Sequence, residues 1–350
     1  MRATKDVLRE NGVGPYELKT KEGLALVNGT STMAGLSLVN FARAKHLIDL
    51  AHVSTAWLCL SLQGRTESFE PLINEIARSH EGQTSAAKKI RALLHDENYQ
   101  TRVRESTGKV QIELATHVQE RYSLRCAPQI LGPVIETANM LEHWLEQEVN
   151  SVSDNPLISA DGQLATGGNF YGGYMGHGAD YLKIALANVA DMIDRQLMLV
   201  IDDKTNRGLP ANLAAWNKIP ENERFLHHGL KGLHQAVSAI TSEIMAKATP
   251  NSIFSRSSES HNQDKVSLGM SAAVQCSEMI EQLYNSMTLH LICLAQALDL
   301  RGVKLVGDVS SKLYSQIRES VPFVDHDQAL GDKIKTLRDQ FYSTSYEGVL

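Results

Sequence analysis

At 350 residues, with 43% hydrophobic and 21% charged side chains, the chain is long enough and apolar enough to bury a sizeable core. Its formal charge of -6 excludes a general polyanion binder, which needs a basic face, so nucleic acid is not an expected partner. The longest apolar run, "LHLICLAQALDL", falls short of the roughly 18 residues that a membrane span requires, so no membrane association is expected.

The first strongly patterned segment, residues 32–62, reads as a helix that is apolar on more than one face, which predicts a central position. A second helix is predicted over 131–149, where Leu131, Val134, Ile135, Ala138, Leu141, Trp144, Leu145 and Val149 follow steps of three and four. A third runs through Leu182, Ala185, Leu186, Val189, Ile193, Leu197 and Val200. The longest covers 268–300 with Met270, Val274, Met279, Leu283, Met287, Leu291, Leu294 and Leu298. From Val321, "VPFVD" introduces a short last helix. With nine prolines, no internal repeat and no low-complexity linker, the expectation is all-α: one long-helix bundle domain over 1–350.

The first twenty residues include Arg2, Lys5, Asp6, Arg9 and Glu10 and no apolar h-region, so a secretory signal is not expected. Cys59, Cys126, Cys276 and Cys293 are scattered, with no C-x-x-C pair. Reduced thiols in the cytoplasm are the plain reading.

Chemistry concentrates in the interruptions: "NGTST" at 28–32, "QERYSLRCAPQ" at 119–129, "SVSDNPL" at 151–157, "GGNFYGG" at 167–173 and "SSESHNQDK" at 257–265. Polar loops at the ends of rigid helices are where sites are built. The thirteen histidines include no H-E-x-x-H, and neither His46/His52 nor His227-His228 has ligand spacing, so no metal site is expected. "GGNFYGGYMGHG" lacks the G-x-G-x-x-G order and any following G-K-[ST], so its glycines read as a sharp turn with close backbone approach. In "YSLRC", Gln119, Tyr122 and Arg125 follow one another at intervals of three. A guanidinium there can clamp a carboxylate through two oxygens, and a phenol beside it can exchange a proton; an intersubunit ion pair fits the segment equally. Taken alone, "SDNP" reads as a turn or helix cap, and "ESHNQD" as a solvated helix start.

Together and in order, "EGLALVNGT", "YSLRCAPQ", "SDNPL", "GGNF" and "HNQD" resemble the aromatic amino acid ammonia-lyases, a group that holds histidine, phenylalanine and tyrosine ammonia-lyases and related aminomutases. Val321, Pro322, Asp325, Leu330 and Asp332 also resemble the end of bacterial members. The likeness runs from about Pro15 onward. It implies a helical bundle, a homotetramer whose active sites draw on three subunits, and a methylidene-imidazolone electrophile made from an internal Ala-Ser-Gly. The implied reaction is elimination of ammonia from an aromatic L-amino acid. An aminomutase of the same family, and a non-catalytic scaffold or regulatory subunit, are the alternatives.

Residue by residue, the resemblance assigns Asn28 a hydrogen bond near the electrophile and the substrate amine. Tyr122 is implied beside the amine, orienting the electrophile. Arg125 is implied as the carboxylate clamp with Asn155 assisting, Gln119 and Gln263 as surrounding hydrogen-bond partners, and Phe170 as packing against the electrophile or substrate. Glu259 and His261 are further candidates. "HNQD" resembles the phenylalanine and tyrosine members, since an acidic residue tends to occupy the Gln263 position in the histidine branch; a non-histidine aromatic substrate is therefore expected. "NFY" at 169–171 departs from the commoner "NFH", which implies a different pocket wall.

No Ala-Ser-Gly, Thr-Ser-Gly or Cys-Ser-Gly occurs in the 350 residues. In the family that tripeptide precedes the asparagine motif. The expectation is therefore a chain matching the last two thirds of such an enzyme, inactive alone and completed by a further N-terminal segment or chain. "LALV" is expected to carry Asn28 into the centre of the bundle.

Overall fold

The computed structural model describes residues 2–94, 119–305 and 307–344. Its helices are α1 (Thr4–Glu10), α2 (Glu22–Asn28), α3 (Ser31–Ser61), α4 (Glu81–Leu94), α5 (Tyr122–Arg125), α6 (Ala127–Val149), α7 (Gly173–Ile201), α8 (Lys231–Lys247), α9 (Gly269–Arg301), α10 (Asp308–Ser320) and α11 (Gly331–Ser343). Between α6 and α7, β1 (Leu157–Ile158) pairs antiparallel with β2 (Leu164–Ala165). The fold is thus helical, with almost no sheet among the described residues.

Two helices form the axis. From Leu50 to Ser61 every side chain of α3 is buried, and the same holds from Ser286 to Leu298 of α9. A helix can be buried all round only where neighbours cover every face, and α4, α6, α7 and α9 together surround α3. The polar residues that enter this core mostly satisfy themselves locally. Thr55 Oγ1 donates to Ala51 O at 2.8 Å and Ser61 Oγ to Trp57 O at 2.8 Å. His46 Nδ1 pairs with Tyr284 OH at 2.8 Å, and His52 Nδ1 with Ile48 O at 2.7 Å. Burial lowers the pKa of His46 to about 4 and those of His52 and His290 to about 3, because a charged imidazole has lost its water.

The apolar stripe of α7 is buried throughout, and that of α6 is buried or half-buried except at its end, where Val149 is exposed. In α9 the stripe needs correction. Met270 and Val274 are exposed, because Gly269, Ala272 and Ala273 form the buried face of the first turns. Small residues there bring helices close, and the larger side chains lie opposite. No helix among the described residues is long and apolar enough to cross a membrane.

The expectation for "LALV" is also corrected. Helix α2 buries none of its residues; Leu26 and Val27 are 66% and 83% exposed, and Asn28 is exposed. A helix of under two turns has no second face to pack once its neighbours stand clear. Burial begins two residues later, at Thr30, where the chain turns into α3.

Candidate active site

The five polar segments occupy three places. In the first, "NGTST", "SDNP" and "GGNF" converge. Thr30 donates its backbone N–H to Ser153 Oγ at 3.1 Å, and a Cβ on Gly29 would stand 3.3 Å from the same oxygen. Asn155 Oδ1 accepts the N–H of Gly167 at 2.8 Å, and Asn169 Nδ2 donates to Val152 O at 3.2 Å. Lys21 pairs with Asp154 at 2.8 Å and donates to Pro156 O. That ammonium, with the N–H of Asn155, holds the Asp154 carboxyl below the usual carboxylate range. Asn28 thus sits one residue from the seam between two motifs, half-buried Asn155 lies across it, and Phe170 is 40% exposed beside it. An adjoining cleft of about 540 Å³ is walled by Trp144, Ser153, Asn169, Tyr171, Tyr174 and His177. The Trp144 and Tyr174 rings meet edge to face at 5.4 Å.

Three long helices start here. Gly172, with φ +66°, precedes α7, and a Cβ on it would collide with Met33 near the start of α3. A Cβ on Gly269, the first residue of α9, would strike the Met33 sulfur, and Gly176 of α7 packs directly on Gly269. Each helix N-terminus carries roughly half a positive charge and unpaired N–H groups. Here the three starts converge, with Gly172, Gly176 and Gly269 at the contacts around Met33.

The second place is α5. Arg125 Nη1 donates to Gln119 Oε1 at 2.6 Å, and its guanidinium carbon lies 4.6 Å from the Tyr122 ring centroid. Arg125 Nε is buried with no hydrogen-bond partner, while the residue as a whole is half-buried. Arg125 and Gln119 line a cleft of about 600 Å³ with Arg65, Glu67, Leu72 and Ile73. Of the acids lining this cleft, Glu67 binds Arg65 at 2.8 Å, and buried Glu120 takes Arg207 at 2.7 and 2.9 Å and the N–H of Arg65 at 2.8 Å; Glu70 lines it as well. Tyr122 is 70% exposed.

The third place is the turn at 257–263. Ser258 and Gln263 pair backbone to backbone at 3.0 and 3.3 Å, Ser257 Oγ meets His261 Nδ1 at 2.8 Å, and Asn262 Nδ2 donates to Glu259 Oε2 at 3.0 Å. Glu259, Ser260 and His261 all hold φ between 51° and 67°, a left-handed run that non-glycine residues resist. Glu259, His261 and Gln263 are exposed.

Among the described residues, no hydrogen bond, ion pair or shared cleft joins these three places. The sequence found the motifs but not their supports. Ser153, Glu120 and Trp144 lie in segments that the sequence flags, but their partners Thr30, Arg207 and Tyr174 are distant in the chain, and the pairings leave no local signal.

The described residues thus form a helical bundle whose two central helices are buried over many turns. The profile of the aromatic amino acid lyase family matches residues 1–319, and the chain belongs to that family. It is 34% identical over 348 residues to the tyrosine 2,3-aminomutase of Chondromyces crocatus, covering 97% of this chain and 64% of that protein. It is 36% identical over 340 residues to the tyrosine ammonia-lyase of Cereibacter sphaeroides, covering 94% and 63%. The crystal structure of a tyrosine aminomutase from Streptomyces globisporus superposes with a TM-score of 0.87 at 31% identity, covering 98% of this chain and 66% of that one. The chain therefore spans just under two thirds of the length of these relatives.

Proposed function

We propose that these 350 residues form the substrate-holding part of an aromatic amino acid ammonia-lyase acting on a non-histidine aromatic L-amino acid. The observation that carries this reading is Arg125: a half-buried guanidinium that lines a cleft, flanked by Gln119 and Tyr122, suits a carboxylate. Gln263 in "HNQD" supports the tyrosine or phenylalanine branch.

The family's methylidene-imidazolone supplies an electrophile for the substrate amine. The glycine-lined meeting of α3, α7 and α9 fits such a group, because helix N-termini stabilise negative charge that develops on it. Asn28 and Tyr122 are the residues proposed to hold it, and Phe170 to pack against it. Because no Ala-Ser-Gly occurs here, we expect these residues alone to make no electrophile and to show no turnover. The tripeptide is then supplied by residues outside these 350. Because Asn28, Arg125 and Gln263 lie apart and exposed or half-exposed, we expect copies of the chain to assemble, in a tetramer by family likeness, so that each site draws on more than one.

The test mixes this chain with a segment that carries Ala-Ser-Gly and follows cinnamate-type product at 290–310 nm, wavelengths where such acids absorb. Product only in the complemented sample supports the reading; none with any aromatic amino acid overturns it. An aminomutase is the second reading, favoured by the likeness to two tyrosine aminomutases. A β-amino acid in the product decides for it.

A further inference from the structure

Gly176, Asp180 and Lys183 follow one another on α7 at intervals of four and three, so they share one face of the helix. The connection from α8 to α9, residues 248–268, stands on that face at both ends. At its start, Asp180 Oδ1 accepts the N–H of Asn251 at 2.9 Å and Oδ2 that of Ser252 at 2.8 Å. Lys183 Nζ donates to Thr249 O at 2.8 Å, to Asn251 Oδ1, and to Gln275 Oε1 of α9 at 3.1 Å, and lies 3.0 Å from Asp180 Oδ1. At its end, Gly269 meets Gly176 so closely that a Cβ on Gly176 would sit 3.2 Å from the Gly269 Cα.

The two charged side chains are 0% and 1% exposed. A buried ion pair adds little to stability over apolar residues of the same size, so stability alone is a weak reason for this one. Four of its hydrogen bonds go to residues 249–252. Burial pushes the Asp180 carboxyl up, but the N–H groups of Ser252 and Asn251 and the ammonium outweigh it and hold it below the ordinary range.

Between these feet lies the turn that carries Glu259, His261 and Gln263. Among the described residues, the hydrogen bonds of 257–266 all stay within 255–266. Among the described residues no hydrogen bond of the turn reaches the rest of the molecule, which leaves its feet to set its placement.

We propose that Asp180 and Lys183 are positioning residues that fix the Gln263 turn relative to the start of α7, and through it the approach of Gln263 to the substrate. The last step rests on the reading of Gln263 as a site residue; the anchoring itself does not.

Three variants test it: Lys183→Met, the charge-free pair Asp180→Asn with Lys183→Met, and the conservative Lys183→Arg. Amide exchange of the full chain is expected to quicken at least about tenfold at 251–263 in the first two, with α7 and α9 unchanged and Lys183→Arg near wild type. In the complemented assembly, kcat should fall by about tenfold or more while KM moves less than about threefold, with Lys183→Arg restoring most of it. If Lys183→Met fails to fold, the charge-free pair decides. A folded pair with wild-type exchange at 251–263 overturns the anchoring, and quickened exchange with wild-type kcat overturns the link to Gln263. If the wild-type assembly turns over no aromatic amino acid, the proposed function fails, and exchange alone still decides the anchoring.

Discussion

Thr30 and Ser153, separated by 123 positions in the chain, are joined by a hydrogen bond of 3.1 Å from the Thr30 N–H to the Ser153 hydroxyl. Through it the asparagine segment and the "SDNP" segment become one surface, although each taken separately reads as an ordinary turn. Ser153→Ala leaves the partly buried Thr30 N–H without that acceptor and should cost about 1 kcal/mol. Chemical denaturation measures the loss. Exchange should quicken at the Thr30 amide and leave the centre of α3 unchanged.

On the proposed reading of Arg125 as a two-oxygen carboxylate clamp, which contributes about 1.5–3 kcal/mol, Arg125→Ala should lower affinity for an aromatic amino acid about 10–100-fold. Calorimetry with the amino acid and with the corresponding amine separates the causes. The amine, which has no carboxylate, should bind both forms alike. Equal turnover of wild type and variant in a complemented assembly identifies the chain as a scaffold that retains the bundle without the chemistry.

Gly172→Ala meets two obstacles: a φ of +66° that alanine resists by about 1–2 kcal/mol, and the Met33 methyl group where the new Cβ would lie. The variant should lose about 2 kcal/mol or more in thermal or urea unfolding. Adding Met33→Ala opens space but leaves the backbone penalty, so recovery should be partial.

The buried histidines set the acid limb of stability. Each stays neutral in the fold, with pKa of about 4 for His46 and about 3 for His52 and His290, against about 6.5 in the unfolded chain. A depressed histidine pKa means that the unfolded state binds protons first as pH falls. Stability is therefore full above about pH 6.5 and declines as pH drops toward the folded values, by about 2 kcal/mol per histidine at pH 5. Neither ring nitrogen of His290 has a partner. His290→Leu should raise stability and flatten the slope between pH 6.5 and 4, as read from urea midpoints across that range.

The long helices were legible because their apolar steps repeat over many turns. Residues 32–62 and α3 differ by a single position at each end, and the α7 stripe is buried at each position. Short elements carried too few periods: α4, α8 and α10 left no decisive stripe, and β1 with β2 is two residues a side. Asn28 shows a different limit. Apolar composition located "LALV" beside polar "NGTST", but burial depends on what stands opposite, which no local pattern records. Among the glycines of "GGNFYGG", Gly172 is a turn and close-approach position as expected, whereas a Cβ on Gly167 or Gly168 would have nothing within 4 Å; that the neighbour of Gly172 is Met33 could come only from the fold.

Because Gly176, Asp180 and Lys183 lie on one helix face, the segment between Ser252 and Gly269 begins and ends against the same rigid rod. Its reach is therefore independent of how α8 or α10 are arranged. A segment of equal length from a relative can be exchanged there as a cassette, with Asn251, Ser252 and Gly269 kept as the splice points. On the proposed reading of Gln263 as a site residue, that exchange should vary substrate preference without re-docking any helix.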